Sequence, residues 1–203
     1  MAWDPFNVTE DADLGTRLAR CGYRCEVITS TTYEEAPRGF GGWLRQRTRW
    51  LKGFIQTWLV HMRAPRRLWR ELGPRGFVAF QVMVGGTVLS ALVHPWFYAL
   101  VAGELLGGGF MAMPSSLLGL PFWGIAWFDL VTGYVAAMML AFIAVRRRGL
   151  FGLSWQVLLM PVYWLLISAA AYRAVWQFAT APFKWEKTEH GRAPTRLSRN
   201  ARG

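Results

Sequence analysis

The chain has 203 residues, 53% of them hydrophobic and 15% aromatic, with a formal charge of +11. The charge is segregated: from Gly76 to Val145 there is no Lys or Arg, and the acids are Glu104 and Asp129 alone. That excludes a water-soluble loop region and makes a bilayer the expected solvent for this stretch.

In chain order, residues 1–38 read as the edge of a soluble α/β domain. Asp11 to Arg20 predicts a short helix whose buried side carries Leu14 and Leu18, at i and i+4. Thr9 is the expected cap, acids fill the first turn, and Arg17 and Arg20 occupy the last. Gly22 is placed to stop it. Cys25 to Thr32 alternates and predicts a strand. Cys21 and Cys25 give no disulfide framework, and His61, His94 and His190 form no metal-ligand spacing.

Residues 39–75 predict a helix and a basic linker. From Trp43 to about Met62, apolar residues alternate at helical period with Arg45, Gln46, Arg49, Lys52 and Gln56 on the other side. An aromatic face opposite a cationic one suits a helix lying in the membrane interface, and Pro65 ends it.

Residues 76–181 hold three apolar blocks, Phe77 to Leu106, Pro121 to Val145 and Leu153 to Ala181. The basic clusters that border them, Arg63 to Arg75, Arg146 to Arg148 and Lys184 to Arg202, match positive-inside flanks and anionic headgroups better than nucleic acid. If Arg146 to Arg148 and the tail share the cytoplasmic side, the third block lies along the interface or turns back near Pro161, and the first block has a possible fold-back at Pro95. Arg173 sits in the third block, where a charge either lines a path or snorkels. Trp96, Trp123, Trp127, Trp155, Trp164 and Trp176 suit either a sugar path or interfacial belts. Residues 182–203 are a charged, basic tail.

Two sets of residues can carry chemistry. Thr9-Glu10-Asp11 places a carboxylate at a loop-to-helix junction, where backbone donors hold it and a cleft can reach it. The structural alternative is an ordinary acidic first turn. Gln46-Arg47-Thr48-Arg49-Trp50 puts Gln46, Arg49 and Trp50 on one helical surface. Arg49 can hold a diphosphate by charge-assisted hydrogen bonds, Trp50 offers a flat platform for a sugar ring, and Gln46 can bond a hydroxyl.

An acidic trio, then a Gln-x-x-Arg-Trp helix, then long apolar segments resembles the membrane-embedded family-2 glycosyltransferases, which include the cellulose, hyaluronan and mixed-linkage β-glucan synthases. The resemblance implies a membrane protein, mainly α: the end of a GT-A type α/β domain, an amphipathic interfacial helix, then several transmembrane helices. It implies processive, inverting transfer of a sugar, glucose foremost, from a UDP-sugar to a growing β-glycan at a bacterial inner membrane, with motifs and tail cytoplasmic. Asp11 becomes the general base, Thr9 and Glu10 shape the acceptor site, and Gln46, Arg49 and Trp50 bind acceptor and donor. Trp185-Glu186-Lys187-Thr188-Glu189-His190-Gly191 is similar to the gating loop of cellulose synthases at Trp185, Thr188, His190 and Gly191, while Lys187 and His190 depart from that pattern.

The family also implies Mg or Mn, whose Asp-x-Asp ligands are not in this chain; Asp11-Ala12-Asp13 has the letters but overlaps the acidic motif on the helix. The expected partners are therefore the donor, the glycan, the bilayer and a nucleotide-binding half, supplied by a missing N-terminal part or a separate subunit. A membrane subunit or scaffold that lends the acceptor site and channel to another protein is the alternative function.

Overall fold

A computed structural model of the chain describes residues 9–28, 30, 32, 36–37, 39–107, 114, 116–182, 184 and 186. The described residues are mainly helical: α1 Glu10–Arg20, α2 Phe40–Met62, α3 Pro65–Phe80, a π-helical turn Gln81–Gly86, α4 Thr87–Leu106, α5 Gly119–Arg147, a 3-10 helix Phe151–Leu159 and α6 Met160–Thr180. They fall into two compact units, Met1–Leu92 with Ala169–Gly203, and Val93–Ser168.

In the first unit α1 packs on α2 and α3, and α2 packs on α3 and on the π-helical turn. Its apolar centre is Leu68, Phe80 and Val84, with Phe54, Trp58, Met62, Leu72 and Phe77 around them. Gly22 ends α1 as expected. It takes φ 82°, open to glycine, so that its N–H bonds Ala19 and the N–H of Tyr23 bonds Leu18. The predicted basic linker is itself helical from Pro65, and Gly73, at φ 67°, kinks the chain just before Pro74 starts the next helical run.

Two local expectations are corrected here. Thr9 makes no side-chain cap bond, and the buried residue of α1 is Asp13, with Leu14 37% exposed. The predicted strand Cys25 to Thr32 does not form among the described residues: residues 23–28 are irregular and Val27 is 98% exposed. A strand needs a neighbouring ladder for its backbone groups. The described residues supply none, so no α/β domain is formed by them.

Among the described residues, three helical stretches are long and apolar enough to cross a membrane: Pro65–Leu106, Gly119–Arg147 and Phe151–Thr180. Neither fold-back is formed. Pro95 lies inside α4, and Pro161 lies in the first turn of α6, where the missing N–H costs little. In the second unit α5 lies against the 3-10 helix, the chain reversing at Gly149, φ 70°. There His94 joins an aromatic cluster: Tyr134 donates to the Tyr98 hydroxyl at 2.7 Å, and Trp164 meets both His94 and Tyr134 edge-on.

Candidate functional site

The site is built on one stripe of α2. At about 100° per residue, Gln46, Arg49, Trp50, Gly53, Thr57 and His61 fall within about 120° of one another, so both the Gln-x-x-Arg-Trp residues and the docking positions for α1 share a face. Thr9 is buried against this face. A Cβ on Gly53 would lie 2.5 Å from its Cγ2, and its hydroxyl is 3.5 Å from that of Thr57. One turn further along, Asp13 meets His61. The start of α1 therefore lies on Gly53, three residues from Trp50, or about 4.5 Å along the helix axis.

Glu10 and Asp11 are exposed, and the Asp11 carboxylate accepts the N–H of Ala12 at 2.9 Å. Asp11 thus stays within reach of a hydroxyl brought to the open end of α1. Gln46 and Arg49 are half-buried. Trp50 is 37% exposed, with the Arg47 guanidinium 4.4 Å over its ring, so one face of that platform is already covered by a cation. Trp185, Thr188 and His190 lie outside the described residues.

The profile of the glycosyl transferase family group 2 matches residues 1–184. The chain belongs to this glycosyltransferase family. No curated protein and no solved structure matches it.

The second flank of the glycosyltransferase's α2 holds the residues that follow α6. Lys52, expected on the cationic face of an interfacial helix, is buried, and its amine donates to the carbonyls of Ala181 at 3.1 Å and Lys184 at 2.9 Å. Burial lowers its pKa, with Glu186 opposing that shift. Gln56 donates to Pro182 at 3.5 Å. Arg173 grips Glu186 with two parallel bonds, 2.8 and 2.7 Å, and Gln177 adds a third at 3.0 Å. The intramembrane-looking charge is thus the partner of a carboxylate. Those bonds hold the Glu186 carboxyl down at about 2 despite its burial.

Sequence reasoning missed the polar layer beneath α1. Asp13, wholly buried, accepts from Arg17 Nε at 2.6 Å and from His61 Nε2 at 3.0 Å. Arg20 reaches His61 Nδ1 at 2.8 Å and Glu71 at 2.6 Å. A signal was present: Gly53, Thr57 and His61 continue the motif stripe at i+4 steps, with small or polar residues where an apolar face would be expected. A cleft of about 620 Å³ lies on the opposite side of α2, lined by Ile55, Trp58 and Leu59 with the π-helical turn, and its apolar walls suit lipid rather than sugar.

Proposed function

We propose that this chain is the acceptor-side part of a processive, inverting family-2 glycosyltransferase embedded in the membrane, which extends a β-linked glycan from a UDP-sugar, UDP-glucose foremost. The observation that carries the reading is the seating of the acidic trio on the Gln-x-x-Arg-Trp helix through Thr9, Gly53 and Thr57. Family membership supports glycosyl transfer, and three helices of spanning length support the bilayer setting.

In this mechanism Asp11 takes the proton of the acceptor hydroxyl, whose oxygen attacks the anomeric carbon as the bond to the UDP oxygen breaks on the far side. Trp50 stacks the terminal sugar, Gln46 orients it by a hydroxyl, and Arg49 stabilises the charge that develops on the departing diphosphate. Thr9 and Glu10 shape the acceptor end, and the segment of Trp185, Thr188 and His190 closes over the nucleotide. The Mg or Mn that the family implies finds no group of three His, Cys, Asp or Glu among the described residues, so no step is assigned to it.

The decisive experiment is Asp11→Asn in the intact enzyme in its membranes. Transfer is expected to be lost while UDP still binds; retained transfer would remove Asp11 as the base.

A further inference from the structure

We infer that His61 is a positioning residue for this reaction: it sets the roll of α1, and through it the direction in which Asp11 faces. The inference rests on the reading of Asp11 as the base. Asp13 is 0% and His61 2% exposed, and they bond at 3.0 Å between α1 and α2.

The imidazole is held in one tautomer. A guanidinium can only donate, so Arg20, 2.8 Å from Nδ1, makes that nitrogen the acceptor and leaves the proton on Nε2, which donates to Asp13. Arg20 is itself fixed by Glu71 at 2.6 Å, which also accepts from Arg67 at 2.6 Å, and the His61 and Phe80 rings meet in a T-shape with centroids 5.6 Å apart. One imidazole thereby ties α1 to α2 and, through Arg20, to α3.

The geometric consequence concerns Asp11. Two residues before Asp13, it projects about 200° round the helix from it. With Asp13 turned onto α2, Asp11 is left outward and exposed, while Thr9 pins the same end of the helix to Gly53. Rolling α1 by a fraction of a turn would carry the carboxylate off its line to the acceptor. Misplacement by about 1 Å is enough to cost on the order of 10²-fold in rate.

The test compares His61→Phe, His61→Gln and His61→Asn with Asp11→Asn, in the full natural polypeptide in its own membranes. His61→Phe keeps a ring against Phe80 and removes both nitrogens; kcat should fall on the order of 10²-fold with the donor KM little changed. Gln places its amide near the Nε2 position and can still donate to Asp13, so it should recover most of kcat. Asn reaches only the Nδ1 position and should not. If His61→Phe does not accumulate, the Gln-against-Asn comparison decides alone. Equal kcat in the Gln and Asn variants, or an undiminished kcat in His61→Phe, overturns the inference. Transfer retained by Asp11→Asn overturns the reading of the base instead, so the two failures are distinct.

Discussion

Thr9 and Gly53 are in such close contact that no side chain fits between them: a Cβ on Gly53 would meet the Cγ2 and Oγ1 of Thr9 at 2.5 Å and its Cβ at 2.8 Å. The absence of a single methyl group on α2 is what lets the acidic trio approach the Gln-x-x-Arg-Trp helix. Backbone shift is the only relief, because rotating the Thr9 side chain leaves its Cβ in place.

Gly53→Ala is therefore expected to destabilise the α1–α2 contact by about 1–3 kcal/mol, the usual cost of overpacking, and to reduce transfer. All three close atoms belong to Thr9, so adding Thr9→Gly should restore the thermal midpoint of the purified protein. A Gly53→Ala variant with an unchanged midpoint would mean that α1 is not seated there.

The buried His61 gives a pH dependence with a definite sign. Burial, the largest effect, together with the charges of Arg20 and Arg17 holds its pKa below the ordinary 6.5 against the opposing pull of Asp13. The unfolded chain then binds the extra proton first, so stability should be full above about 6.5 and decline as pH falls through that value toward the folded pKa. Protonation would also place a hydrogen on Nδ1 facing Arg20. Thermal midpoints measured from pH 8 to pH 5, on the order of one scan per half unit, should show this slope in the wild type and lose it in His61→Gln.

Glu186 titrates in the opposite sense. Its folded pKa of about 2 lies below the ordinary 4.5, so its contribution is complete above 4.5 and is lost as pH drops toward 2. Glu186→Gln should release Glu186 from Arg173 and Gln177 on α6. Protease cleavage after Thr180 should accelerate several-fold, and Arg173→Met should do the same. Combining the two should add little, since both remove one pair.

Gly85 has a similar role to Gly53 in the π-helical turn. A Cβ there would lie 2.7 Å from the Trp58 indole nitrogen, which donates to Gln81 at 2.8 Å. Gly85→Val should displace the indole, break that bond and lower stability by about 1–3 kcal/mol. Near-ultraviolet circular dichroism, which reports the packing of Trp58 among its neighbours, should change with the thermal midpoint.

Much of this protein was legible in one dimension. A stretch of seventy residues without Lys or Arg needs no tertiary information to predict helices of spanning length, because composition alone sets the solvent a segment requires. The helical grouping of Gln46, Arg49 and Trp50 follows from the 3.6-residue period alone. The stop at Gly22 follows from glycine's access to positive φ.

What failed at that level has one physical cause: a side chain's environment is set by the element packed on it, which spacing does not reveal. Leu14 and Leu18 looked like the buried side of α1, yet Asp13 is the buried residue, because α2 meets it with His61 instead of an apolar surface. Lys52 read as one member of a cationic interfacial face until the residues after α6 brought two carbonyls to its amine. Arg173 looked like a lone charge until Glu186 came beside it. Periodicity determined which residues of α2 share a face. Only the packing of α1 decided that Gly53, Thr57 and His61, on the stripe of the Gln-x-x-Arg-Trp residues, are the ones that receive it, since a buried polar contact exists only when both partners arrive.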